Sequence, residues 1–198
     1  MKTNVGMIYP VAAVISAYTE GSAITYNTGF VVDEARAATV SFEASDGSFY
    51  GDDVELDTDR DIIGYTIDFE STGLKDGVRE KLLGEVKESS VYHVTGAPKP
   101  DVGFGYIKKM RESSGGAVSV VYEAWWFHKV KFAQPDENAQ TAERSREWRT
   151  PTLNGRGAGV YLSSSDNYPR FAKHEDFTTL AAAKTWLQSL ANIGGTTT

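Results

Sequence analysis

AVSVVYEAWWFHKVKF, residues 117–132, is the longest strand-like stretch of the chain, and the rest is read outward from it. Val118, Val120, Tyr122, Ala124 and Trp126 fall on one side of an extended backbone, and Val121, Trp125 and Phe127 on the other, because side chains alternate across a strand. Apolar residues on both sides predict a strand covered on both faces. Just upstream, Ser114-Gly115-Gly116 supplies turn chemistry between two apolar runs, so Gly103–Arg111 and Ala117–Phe132 are expected to pair as a hairpin. Trp125 and Trp126 are consecutive and so point oppositely. One is expected in the core, the other against a helix or a neighbouring subunit.

The surrounding chain repeats the strand signal. Ile63, Tyr65, Ile67 and Phe69 alternate with Gly64, Thr66, Asp68 and Glu70, which predicts a half-buried strand. Shorter strands are expected at Gly6–Tyr18, Ala23–Tyr26, Ala37–Phe42, Tyr92–Val94, Asp101–Arg111, Lys129–Ala133, Arg146–Thr152 and Gly159–Tyr161. Two helices interrupt them. Leu74, Val78 and Leu82 step by four with Gly84 placed to end the turn. Leu180, Ala183, Trp186, Leu187 and Leu190 form an apolar stripe, with Asp176 or Thr178 as candidate caps. The class is therefore mainly β, with two helices, one of them at the C-terminus. One domain is expected over residues 1–193, with long loops at about 45–60 and 134–147 that lack a core pattern, and a disordered tail at 194–198.

Charge is concentrated rather than spread. The stretch Glu43–Asp61 holds eight acids against Arg60 alone and carries the whole formal net charge of −7; the other 19 bases and 19 acids cancel. A general DNA binder needs a basic surface, and this chain has no such excess. The chain has no cysteine, which removes disulfides, zinc–thiolate sites and cysteine nucleophiles. Lys2 and the run Val11–Ile15 only faintly resemble a secretory leader, because Asn4, Gly6, Tyr9 and Pro10 break the apolar core; a first strand is expected instead. No apolar run approaches the ~20 residues that cross a bilayer.

Catalytic and ligand chemistry is sparse. Asp57-x-Asp59-x-Asp61 opens like a calcium loop, but Ile62 replaces the turn glycine and Asp68 the closing glutamate, so a solvated acidic segment is expected. His93, His128 and His174 show no metal-ligand spacing, and no nucleophile–base pair can be named. Gly155-Arg156-Gly157-Ala158-Gly159 lacks the phosphate-loop pattern and reads as a flexible turn. No cofactor, no metal and no catalytic residue are expected.

A set of short segments lies in order along the chain: Asn4-Val5-Gly6 with Tyr9-Pro10-Val11, Tyr50-Gly51-Asp52-Asp53-Val54, and Gly64-Tyr65-Thr66-Ile67-Asp68-Phe69-Glu70. Val78-Arg79-Glu80-Lys81-Leu82-Leu83-Gly84, Val102-Gly103-Phe104-Gly105-Tyr106, Val130-Lys131-Phe132-Ala133-Gln134-Pro135 and Trp148-Arg149-Thr150-Pro151-Thr152-Leu153 follow. In order and spacing this succession, spanning residues 4 to 192, resembles the major tail proteins of siphophages of Gram-positive bacteria, the phi13-type tail tube family. The resemblance implies a β-sandwich or barrel-like core with one flanking helix, and a structural virion protein, not an enzyme. Its subunits would form hexameric rings that stack into a tube conducting DNA during ejection. It implies a tape-measure protein, a tail terminator and distal tail proteins as partners, assembly in the host bacterial cytoplasm, and no membrane. DNA would be in transit only.

Within that reading, Asp52, Asp53, Glu55, Asp57 and Asp59 are candidate ring-to-ring or lumen residues, because acids in a lumen repel phosphates. Arg144, Arg146 and Arg149 on the second excursion are their candidate partners. The inner tube of a contractile tail or of a tail-derived bacteriocin, a monomeric β-sandwich binding module, and a hydrolase on a β scaffold are the competing readings.

Overall fold

A computed structural model describes residues 2–32, 34–45, 47–51, 54–74, 76–114, 117–136 and 150–194, with side chains left undescribed at 47–51, 54–59, 76, 114 and 117. The fold is mainly β with two helices. The strands are β1 (Lys2–Ala17), β2 (Thr25–Tyr26), β3 (Phe30–Val31), β4 (Ala35–Ala44), β5 (Gly47–Gly51), β6 (Val54–Asp59) and β7 (Ile62–Ser71). After helix α1 (Asp76–Leu83) come β8 (Val86–Glu88), β9 (Val91–His93), β10 (Val102–Ser114), β11 (Ala117–Phe132), β12 (Thr152–Gly157) and β13 (Ala172–Phe177), then helix α2 (Leu180–Leu190).

Nine strands share one antiparallel sheet in the order β2-β1-β10-β11-β12-β7-β4, with β3 added to β1 and β13 to β11. The expected hairpin forms, with Ser114 paired to Ala117 and Tyr106 to Trp125. A bulge between Val102 and Phe104 bends β11 where its outer neighbour changes from β13, along Tyr122–Phe127, to β12, along Val130–Phe132. A second bulge at Tyr9-Pro10 bends β1, with Tyr9 at φ 57°. The sheet curls until its outer strands β1 and β4 meet, and the chain closes the gap by running from β3, paired to β1, through Val32 into β4.

The concave side holds the main core: Tyr65, Ile67, Phe69, Phe104, Phe127, Phe132 and Leu153, closed by Val78, Leu82 and Leu83 of α1. Gly84 ends α1 at φ 64°, as the four-residue spacing predicts. The convex side carries α2, whose Ala183 and Leu187 pack with Ile107, Ala124 and Trp126. Here period two decides the packing. On β10, Phe104 and Tyr106 enter the core, while Gly103 and Gly105 leave a slot under Trp126: a Cβ on Gly103 would lie 2.3 Å from its ring.

Several expectations are corrected. Gly155–Gly157 is not a turn but part of β12, whose glycines let Phe132, Val130 and Tyr65 lie directly on the backbone; only Ala158 and Gly159 lie beyond it. The expected Gly159–Tyr161 strand reduces to one bridge, Val160 to Arg170. Of the expected Arg146–Thr152 strand, residues 146–149 lie outside the described residues, Thr150 and Pro151 are not in a strand, and Thr152 opens β12. The cap of α2 is Thr179, whose hydroxyl accepts from Ala182 N at 3.3 Å, while Asp176 belongs to β13. β13 itself was not expected, because Lys173-His174-Glu175-Asp176 is charged on both faces and shows no alternation.

Candidate functional site

The acidic stretch read as a loop is a two-stranded ribbon, β5–β6, that stands apart from the main sheet. Glu55 pairs with Tyr50, Asp57 with Phe49 and Asp59 with Gly47, so these three candidate residues follow one another along one strand. Asp52 and Asp53 lie outside the described residues, as do Arg144, Arg146 and Arg149, and so does their expected pairing. At the ribbon's base, Ser45 N donates to Asp61 O at 2.7 Å, and Arg156 on β12 bonds Glu43 at 2.9 Å. Phe42, Ile62 and Ile63 form an exposed apolar collar there.

A second feature lies where β1, β10 and β11 run past the core as a three-stranded blade. Thr3 pairs with Arg111 and Arg111 with Val120, so these side chains share a face, the one that α2 covers further along at Ala124 and Trp126. Beyond the reach of α2 that face is left partly exposed by the described residues. Val118 is 53% exposed and Val120 42%, and Val5 on β1 is 59% exposed. The expectation that both faces of 117–132 are covered therefore holds from Ala124 onward and fails before it. Both margins of the blade are open: among the described residues, Lys2–Ile8 of β1 and Ala117–Val121 of β11 have no strand on their outer side. Such edges present unpaired N–H and C=O groups to a further strand.

Charged groups also pin both described ends of the second excursion. Glu85 is buried, takes Arg79 Nε at 3.1 and 3.0 Å and Arg79 Nη2 at 3.0 Å, and accepts from Gln134 Nε2 at 2.7 Å. These hydrogen bonds, Arg79's first, hold the Glu85 carboxyl below its ordinary range against the cost of burial. At the far end Thr150 bonds Glu70, and Arg36 reaches Thr150 at 3.1 Å and Glu70 at 3.0 Å.

The histidines do not converge. His93 faces Glu88 at 3.6 Å, and His174 faces Glu123 at 3.5 Å while stacking on Trp125 at 4.5 Å. His128 is buried on β11, and desolvation, with Lys173 and Arg170 nearby, lowers its pKa to about 4. Among the described residues no three His, Cys, Asp or Glu side chains are grouped to hold a metal. Trp126 lies on the convex side against α2, whereas Trp125 sits on the opposite face, packed against the main core with the Lys108 ammonium 4.5 Å from its ring.

The open margins of the blade escaped the sequence reading. The apolar alternation of Val118 and Val120 looks identical whether a helix covers it or nothing does; the only signal was that the α2 stripe is too short to cover a sixteen-residue strand. Comparison with known protein families and with curated proteins finds no match for this chain.

Proposed function

We propose that this chain is a structural subunit that associates head to tail through the two margins of its β1–β10–β11 blade, and that the resulting rings stack as a phage tail tube of the phi13 type. The observation that carries the reading is the blade itself: two unpaired strand edges on opposite sides of one protruding sheet, with Val118 and Val120 partly exposed between them. An edge of β11 on one copy can pair with the edge of β1 on the next. That contact is heterologous, so it closes into a ring or runs on as a fibre according to the rotation it imposes. Each contact would satisfy backbone groups that water now solvates, and burying one valine adds roughly 1.5 kcal/mol.

The charge distribution is compatible with a conduit. A net charge of −7, all of it concentrated in Glu43–Asp61, gives DNA no basic surface to stall on. In this reading the β5–β6 ribbon, with Glu55, Asp57 and Asp59 along one strand, meets the adjoining ring or the lumen. The tape-measure, terminator and distal tail proteins would set where tube growth starts and stops. No enzymatic role is part of the proposal.

Negative-stain electron microscopy across a concentration series, with light scattering on the same samples, tests it. Rings or hollow tubes are the expected result. A monomer at every concentration, with and without a tape-measure protein, would overturn the assembly reading in favour of a monomeric binding module.

A further inference from the structure

On the convex side, a cleft of about 440 Å³ opens between the 23–26 segment, the C-terminal end of α2 and the strands β11 and β13. Its volume lies in the range of small-ligand sites. Ile24, Leu162, Leu190 and the rings of Tyr26 and Trp126 make its apolar wall, the two rings meeting edge to face at 5.3 Å. Two polar groups in it make no side-chain hydrogen bond or salt bridge among the described residues. His128 is only 4% exposed, yet its imidazole makes no hydrogen bond; the bonds at this residue, from Tyr26 Oη to His128 O at 2.9 Å and from His128 N to Phe171 O, use its backbone alone. Lys173 stands at the rim with its ammonium 5.8 Å from the Trp186 ring; Glu175 on the same strand acts on it electrostatically but forms no salt bridge with it. The nearby Arg170 is already held by Asp166 at 2.6 Å.

We infer that this cleft binds a carboxylate carried on a compact apolar group. The carboxylate would pair with Lys173 and accept the His128 N–H, and the apolar part would lie on Trp126, Leu162 and Leu190. The orientation follows from the other wall. The α2 C-terminus repels anions, and its last carbonyls are already taken, Leu187 O by Ala191 N at 2.9 Å and Gln188 O by Ile193 N at 2.8 Å. The acid group therefore points away from α2, toward β11 and β13. A neutral imidazole matches this task, since it donates one hydrogen bond without adding a second desolvated charge. The inference stands apart from the tube proposal, as the cleft lies on a different part of the sheet from the blade margins.

The carboxylate could belong to a free small acid or to an acidic side chain on an extended segment of a second copy. The test titrates phenylacetate, and phenylacetamide as the neutral match, into ¹⁵N-labelled protein kept dilute enough to stay monomeric. Saturable shifts at the Trp126 indole N–H and the Lys173 amide are expected with phenylacetate, half-saturating on the order of 1 mM. Phenylacetamide and the Lys173→Met variant should each weaken binding at least about fivefold, with the variant's remaining spectrum unchanged. Displacement of phenylacetate by a peptide of residues 50–59 would identify the second copy as the source, and failure to displace it the free acid. No saturable shift at these probes, equal binding of the amide, or an unaffected Lys173→Met protein would overturn the inference.

Discussion

Replacing Gly157 by alanine tests the packing where sequence and structure differ most. A Cβ at this position would lie 1.9 Å from Tyr65 Cζ and 2.3 Å from both Cε atoms. Tyr65 is fully buried, packs on Phe127 at 5.3 Å and Phe171 at 6.1 Å, and donates its hydroxyl to Lys129 O at 2.9 Å. To restore ordinary contact the ring must retreat by about 1.5 Å, into neighbours that are themselves close-packed. Overpacking of this kind costs about 1–3 kcal/mol, and pulling the hydroxyl off its buried acceptor adds about 1–3 kcal/mol. The stiffer unfolded chain returns only about 0.4–1 kcal/mol. A net loss of roughly 1–5 kcal/mol is expected. It would be read from urea unfolding followed by tryptophan fluorescence, at a protein concentration where light scattering shows monomer. The double variant Gly157→Ala/Tyr65→Leu should lose less than the sum of the two single changes, because the collision is with the ring that the second change removes. A flexible turn predicts the opposite, a neutral or slightly stabilising alanine. Stability of Gly157→Ala within about 0.5 kcal/mol of the parent would refute the reasoning.

Three further outcomes are expected. Glu85 has a folded-state pKa below its ordinary value of 4.5, so its contribution is present above that pH and is lost as the pH falls through the lowered folded value; Glu85→Gln should destabilise at pH 7 and flatten stability measured by urea between pH 5 and 3. Because Arg79 keeps 27% of its side chain exposed, the loss at pH 7 should be about 1–3 kcal/mol, below that for a fully buried pair. His128, with its pKa lowered to about 4, should stay neutral by NMR titration down to that pH, and should contribute stability above about 6.5 that declines as the pH falls from there toward 4; an ordinary titration near 6.5 would contradict its burial. Val118→Lys/Val120→Lys should abolish rings or tubes in electron micrographs while leaving the unfolding midpoint within about 0.5 kcal/mol of the parent, since both side chains are exposed in the monomer. Normal tubes from that variant would remove the blade margin from the interface.

How much was legible varies by element. Period two names the buried face of Tyr65, Ile67 and Phe69, although Ile63 in the same run is 61% exposed, and the α2 stripe names its packing side. The Ser114–Ala117 hairpin followed from turn chemistry placed between two apolar runs. β13 was hidden because it is held by backbone pairing to β11 and by the stack of His174 on Trp125, neither of which leaves a hydrophobic pattern. The candidate site was the least legible part. Acidity marked the β5–β6 ribbon, but it could not distinguish a loop from a hairpin.

The sequence alone determined the mainly β class, the two helices, the alternation that marks Tyr65, Ile67 and Phe69 as core, and the concentration of charge in one stretch. These are local properties, written within windows of a few residues. Only the tertiary structure decided that glycines 155 and 157 form a strand, that Trp126 lies in the slot left by Gly103 and Gly105, and that Val118 and Val120 lie past the end of α2. Each depends on what a distant segment places against a residue, and a side chain carries no mark of whether its neighbour will be a helix, a ring or water.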